Sequence, residues 1–172
     1  MTTDRRSFLR LAGAGTLATA ALALLRPMTA RDAFAAAAPE TFEIVKTDAE
    51  WQKILSPQAF SVLRKHDTER PGSSPLVNEH RKGTFACAGC DLPLYDAVTK
   101  FESGTGWPSF YDHLPNAIGT SSDNYLIYTR TEVHCHRCGG HLGHMFDDGP
   151  KPTGLRYCMN GVALQFHPAP GA

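Results

Sequence analysis

Cys158 sits in the string GLRYCMNG with no second cysteine near it in sequence. In an extended strand Arg156 and Asn160 would point to the same face as Cys158, setting a permanent cation and an amide beside one sulfur. A nearby positive charge favours thiolate over thiol, starting from a free pKa near ~8.5, so these neighbours make Cys158 a candidate nucleophile. The competing reading is a buried cysteine acting as a small hydrophobe.

HLGHMFDDG supplies His141 and His144, three positions apart. They could ligate a metal, but no acidic partner stands at matching spacing. General acid work near neutral pH is the better use of such a pair. In SGTGWPSFY, Trp107 and Phe110 lie among Gly, Ser and Pro. An aromatic held there is either a core plug or the wall of a ligand pocket.

The other four cysteines form two CxxC pairs, Cys87 with Cys90 and Cys135 with Cys138, separated by 44 residues. At this spacing a tight turn aims both thiols at one ion, and two such knuckles supply the four thiolates of a closed structural zinc site. The gap exceeds that of a compact zinc ribbon, so the fold itself must join the knuckles. Two disulfides, or redox-active pairs, are the alternatives. A thioredoxin-like pair would need a βαβ context that the flanking segments lack.

Several local signals describe the elements that must position these groups. Thr47 and Glu50 have the spacing of a capping box, predicting a short helix through Trp51, Ile54 and Leu55. Ser56-Pro57 restarts the pattern, with Phe60, Val62 and Leu63 on the apolar face. From Thr68 onward the chain is turn-rich. Short strands are expected at Gly83 to Ala86, Leu94 to Tyr95, Ile118 to Ser121, Tyr125 to Glu132, His144 to Phe146, Arg156 to Met159 and Val162 to Phe166. The expectation is a mostly antiparallel β domain behind short helices.

A length of 172 residues with 42% hydrophobic content suits one globular domain. Arg5-Arg6-Ser7-Phe8-Leu9 precedes a 15-residue uncharged stretch from Leu11 to Leu25, short for a membrane span of ~20 residues and suited to a secretory leader. The RRSFL string resembles a twin-arginine export signal, with cleavage expected near residues 35–38. Residues 1–38 are then the leader and 39–172 the mature domain, core 47–168, an uncleaved N-terminal anchor being the competing reading because Arg26 and Arg31 lengthen the region before the cleavage site. Residues beyond 38 carry a net charge of −3 and no basic run, which argues against a nucleic-acid partner.

Taken together, GTFACAGCDLPLY, TKFESGTGWPSFY, HCHRCGGHLGHMFDDG and GLRYCMNGVALQF, in that order, make Ser56 to Pro168 resemble the methionine sulfoxide reductase B family. The resemblance implies a mainly β fold, two antiparallel sheets with short N-terminal helices. It implies Cys158 as nucleophile, His141 and His144 as activators of the substrate oxygen, and Trp107 as the wall that cups the substrate methyl group. Phe110, Arg156 and Asn160 join Trp107 as substrate-binding residues, and Cys87, Cys90, Cys135 and Cys138 hold structural zinc. The implied enzyme is a peptide-methionine (R)-S-oxide reductase acting on oxidised proteins, supported by a thioredoxin-like or other thiol reductant. A monomer exported to the periplasm, without stable membrane insertion once the leader is removed, is expected.

Many relatives carry a resolving cysteine two residues before this tryptophan, where this chain has Thr105. The other four cysteines are committed to the inferred zinc, which implies a one-cysteine cycle. A zinc-ribbon interaction module with an inert Cys158 and a general thiol-disulfide oxidoreductase are the competing functions.

Overall fold

A computed structural model describes residues 41–124 and 129–171. The leader expected at residues 1–38 and the Tyr125 to Tyr128 part of one expected strand lie outside the described residues. Two helices, α1 (Asp48–Ile54) and α2 (Pro57–Lys65), open the described chain. The capping box is complete: Glu50 N–H donates to the Thr47 hydroxyl, and Thr47 N–H donates to Glu50 Oε2 at 2.8 Å. Pro57 takes the first helical position of α2 behind Ser56, whose hydroxyl accepts from Ala59 N–H.

Among the described residues nine strands follow: β1 (Gly83–Cys87), β2 (Pro93–Asp96), β3 (Lys100–Phe101), β4 (Ser109–Phe110), β5 (Ile118–Asp123), β6 (Arg130–Cys135), β7 (His141–Phe146), β8 (Arg156–Met159) and β9 (Leu164–Pro168). They form a three-stranded sheet, β2-β1-β9, and a six-stranded sheet, β3-β4-β8-β7-β6-β5. Every pairing is antiparallel. The fold is mainly β, two antiparallel sheets with two short helices, as the sequence indicates. Strands β3 and β4, at two residues each, carry no readable alternation. Within the described residues β6 runs from Arg130 to Cys135, past the expected end at Glu132.

An aromatic layer holds the sheets together. Phe85 and Tyr95 from the small sheet meet Phe110 from the large one, Tyr95 stacked on Phe110 with ring centroids 4.3 Å apart. Phe110 therefore belongs to the core, at 0% exposure, and not to the substrate-binding set in which the sequence reading placed it. The physical reason is strand alternation: Ser109 and Phe110 lie in β4, so they point to opposite faces, and Phe110 pairs with the core residue Tyr157. Each fully buried ring contributes about 1.5–3 kcal/mol over its exposed state.

Helices α1 and α2 cover the cysteine end of the molecule. Trp51 and Leu63 are each 1% exposed. A Cβ on Gly140, beside the second knuckle, would come within 2.9 Å of the Leu63 side chain. The Arg64 guanidinium donates to the Cys138 carbonyl at 3.0 Å.

Candidate active site

The face of the large sheet turned away from the aromatic layer carries a row of side chains dictated by register. Ser109 pairs with Cys158, Cys158 with His144, His144 with Glu132, and Glu132 with Ser121, crossing five strands. Directly opposed residues in an antiparallel sheet project to the same face. Alternation along β8 places Arg156 with Cys158 and sends Tyr157 and Met159 into the core.

His141 joins this face through an irregularity. Three positions separate it from His144, which in a regular strand would send the two side chains to opposite faces. The β6–β7 register slips between Val133 and His134, so that Val133 pairs with Gly143 but His134 pairs with His141. Leu142 is the extra residue, and this bulge turns His141 back toward His144, the rings lying 5.3 Å apart. Asn160 secures the bulge: its backbone N–H and its side-chain amide both donate to the Leu142 carbonyl, at 2.8 and 3.1 Å.

Thr68, Trp107, His144, Phe146, Cys158 and Asn160, with Arg130 and Gly143, line a cleft of about 120 Å³. Gly143 is required where β7 meets β8, since a Cβ there would lie 2.1 Å from the Cys158 carbonyl oxygen. Thr105 Oγ1 lies 3.7 Å from Cys158 Sγ, and Ser103 Oγ lies 2.8 Å from both the Thr105 and Ser109 hydroxyls. Trp107 is fixed by its indole N–H, which donates to the Glu69 carbonyl at 3.2 Å.

Arg156 stands beside Cys158 but outside the lining of the cleft. Its guanidinium makes two 2.8 Å hydrogen bonds to Asp148 and packs 4.3 Å from the Phe146 ring centre. Those Asp148 hydrogen bonds, with a smaller contribution from Cys158, raise its pKa further above the ordinary arginine value.

Each histidine is oriented by a carboxylate. His144 Nε2 is 2.7 Å from Asp123 Oδ2, and His141 Nδ1 is 2.7 Å from Glu132 Oε1. A ring nitrogen donating to a carboxylate leaves the other nitrogen to accept or release a proton. His141 Nε2 is buried with no hydrogen-bond partner. Burial lowers the His144 pKa below its ordinary value, an effect that Asp123 partly offsets. Burial alone would raise the Glu132 carboxyl, but hydrogen bonds from His141, His66 and Ser121 outweigh it and hold it well below the usual carboxylate range. Strand alternation and register brought Glu132 and Asp123 here, and the sequence reading missed both, along with Glu69 and Arg130.

The two CxxC turns converge beneath α1 and α2. Cys87 Sγ is 3.8 Å from Cys138 Sγ, and Cys90 Sγ is 3.5 Å from Cys135 Sγ. Zn–S bonds of about 2.3 Å place tetrahedral sulfurs about 3.8 Å apart, so the four fit one zinc ion and are too far apart for disulfides. Both knuckles turn alike: Asp91 N–H donates to the Cys87 carbonyl and Gly139 N–H to the Cys135 carbonyl, both residues in the left-handed conformation. Hydrogen bonds from Cys135 and its neighbours, with burial, push the Cys87 thiol far above its ordinary value, a cost that a bound cation removes.

Fold and site together define a small two-sheet β protein with a thiol and histidines on one sheet face and a four-cysteine cluster stapling its end. The SelR domain family matches residues 55–168 of this chain. Proteins named peptide methionine sulfoxide reductase MsrB are similar over most of their length. The Agrobacterium fabrum protein is 47% identical over 127 residues, covering 73% of this chain and 94% of its own. The Pseudomonas putida protein is 50% identical over 131 residues, 76% of this chain and 98% of its own. For the Methanosarcina barkeri protein the figures are 49% over 124 residues, 72% and 87%. The chain belongs to the methionine sulfoxide reductase B family.

Proposed function

We propose that this protein reduces the R epimer of methionine sulfoxide in proteins, with Cys158 as nucleophile and no resolving cysteine. The observation that carries the reading is the row Cys158–His144–Glu132, with Trp107 and Asn160 completing the cleft around the thiol. A sulfoxide sulfur is a poor electrophile until its oxygen receives a proton, so the chemistry needs a thiolate and an acid on one face.

In the proposed step Cys158 sulfur attacks the sulfoxide sulfur while His144 or His141 protonates the oxygen. The sulfur–oxygen bond and the new sulfur–sulfur bond then break as the protonated oxygen bonds to the Cys158 sulfur, giving methionine and a sulfenic acid on Cys158. Two equivalents of an external thiol then return Cys158 to the thiol, releasing water and a disulfide. Trp107 takes the substrate methyl group, admitting one epimer. Cys87, Cys90, Cys135 and Cys138 would hold zinc, whose role in a closed four-thiolate site is to tie the fold together.

Residues 1–38 act as a twin-arginine-type leader in this reading, delivering the domain outside the cytoplasm. Substituting Arg5 and Arg6 by Lys should retain the protein in the cytoplasm, and unchanged export would refute that part. The activity is tested by steady-state reduction of peptide methionine-R- and methionine-S-sulfoxide with a dithiol reductant. Turnover confined to the R epimer and lost in Cys158→Ser supports the reading. Equal turnover of both epimers, or activity surviving in Cys158→Ser, refutes it.

A further inference from the structure

His141 has a carboxylate and a second imidazole beside it that its own strand does not supply. Glu132 Oε1 is 2.7 Å from His141 Nδ1 and 3.0 Å from His66 Nδ1. One ligand atom from each of His66, Glu132 and His141 lies within 4.8 Å of the other two. We infer that His66, Glu132 and His141 form a second metal site, apart from the four cysteines, that takes a divalent transition ion such as Zn²⁺ and inhibits the enzyme by capturing His141. The inhibition rests on the reductase reading, and the binding does not.

Two imidazole nitrogens and one carboxylate oxygen are a donor set suited to zinc, copper or nickel, whereas calcium and magnesium take shells of oxygen. Bonds of about 2.1 Å set adjacent donors about 3.0–3.4 Å apart, between octahedral and tetrahedral geometry. Both edges through Glu132 are already at or within a few tenths of an ångström of that range. Ser121 Oγ donates to Glu132 Oε2 at 2.6 Å, fixing the carboxylate from behind as hydrogen-bond donors to metal-ligating carboxylates do.

Access comes from His66, whose side chain is 63% exposed. It ends α2 in the left-handed conformation at φ 57° and looks onto an open cleft of about 480 Å³ that also reaches Asp123 and His144. Two ligands are thus preset on neighbouring strands and buried, while the third closes from the surface. The cleft leaves space for water in the remaining coordination positions. Binding displaces the proton from His141 Nδ1 and offsets the Glu132 charge, so His141 becomes a fixed metal ligand and no longer serves as an acid.

The test uses full-length mature protein with the four-cysteine site already filled with zinc. Calorimetric titration with Zn²⁺ is run in the Cys158→Ser background, so that the reactive thiol takes no metal. One further Zn²⁺ per chain is expected, with affinity at least about tenfold weaker when His66→Asn is added. Asn is chosen because it tolerates the left-handed conformation. No further Zn²⁺, or equal binding with and without His66→Asn, overturns the site. In a second arm Cys158 is intact: His66→Asn should keep metal-free turnover and need at least about tenfold more free Zn²⁺ for half-inhibition. Equal inhibition of both proteins overturns the regulatory role. Absence of turnover in metal-free wild type would count against the reductase reading, leaving the binding result standing.

Discussion

Cys158 and His144 are register partners across strands β8 and β7, with thiol and imidazole on the same face of the sheet. Their relative position is therefore set by backbone hydrogen bonds and not by a loop. For the proposed chemistry, Cys158→Ser should remove turnover entirely. His144→Gln should lower kcat by about 10²–10⁴-fold, the usual worth of a positioned acid. Cys158→Ser should unfold close to wild type in urea, because its side chain lies outside the aromatic layer, whereas His144→Gln should lose up to about 1.5–3 kcal/mol through its buried hydrogen bond to Asp123. A His144→Gln protein with normal kcat would remove this histidine from the mechanism.

Thr105 offers a gain-of-function test of the one-cysteine cycle. Its hydroxyl is 3.7 Å from Cys158 Sγ, so a thiol introduced at this position starts close to the sulfur it would have to attack. After a single turnover without reductant, wild type should react with a sulfenic-acid trap and retain no new disulfide. Thr105→Cys should instead accumulate an intramolecular disulfide to Cys158, seen as a loss of two mass units and of trap reactivity. A disulfide formed in wild type would end the one-cysteine account.

Metal removal should act on the fold before the chemistry. The four sulfurs bring together β1, β6 and the turns that follow them, under the cover of Trp51 and Leu63. Native protein should show one thiol reactive toward an aromatic disulfide reagent. Chelation should expose all five cysteines and lower the melting temperature, since zinc binding contributes directly to folding. Cys135→Ser should behave like the chelated protein. Five reactive thiols before chelation would contradict a closed zinc site.

Short-range signals carried much of the design in the sequence. The Thr47–Glu50 box, Pro57 at the head of α2 and the CxxC knuckles depend on residues within four positions of each other, where local chemistry decides conformation. Partners fixed by register could not be read the same way. Glu132 reaches His141 through the β6–β7 pairing, and Glu69 reaches Asn160 across 91 residues. Phe110 was misplaced because a two-residue strand is too short to display its alternation, yet alternation is what turns the ring into the core. The spacing of His141 and His144 gave no hint of a shared face, because the bulge at Leu142 that creates it depends on Asn160.

The pH profile should report the carboxylate behind His144. Burial holds this imidazole below its ordinary pKa of 6.5, and Asp123 partly restores it. If protonated His144 is the acid, turnover declines as pH rises through the folded value, which lies under 6.5. Asp123→Asn removes the raising influence and should move that decline to lower pH. The stability linkage has the matching sign. A histidine with a depressed folded pKa contributes stability above its unfolded pKa and loses it as pH falls through the folded value. Urea midpoints should therefore drop on acidification from about pH 6.5, and less so in His144→Gln. An unmoved kinetic limb in Asp123→Asn would separate His144 from the observed pH dependence.

Glu69 is the buried carboxylate on which the Trp107 side of the cleft depends. It is 4% exposed, and its two oxygens accept backbone N–H groups from Gly161 and from Val162, the latter at 3.2 Å. Its own N–H donates to Asn160 Oδ1 at 3.0 Å, and its carbonyl receives the Trp107 indole. One residue thus links the tryptophan wall, the amide that anchors the β7 bulge and the turn following Cys158. Hydrogen bonds to a charged group contribute about 1.5–3 kcal/mol each, so Glu69→Gln, which replaces one acceptor oxygen by a donor facing an N–H, should lower stability by about that amount. Its kinetic effect should fall mainly on KM, through misplacement of Trp107, with kcat less affected than in His144→Gln. Trp107→Phe keeps an aromatic wall but loses the indole donor. It should reproduce the KM effect with little loss of stability, which distinguishes positioning of the wall from general loosening of the fold. A Glu69→Gln protein with wild-type stability and wild-type KM would show that the loop holds its shape without the carboxylate.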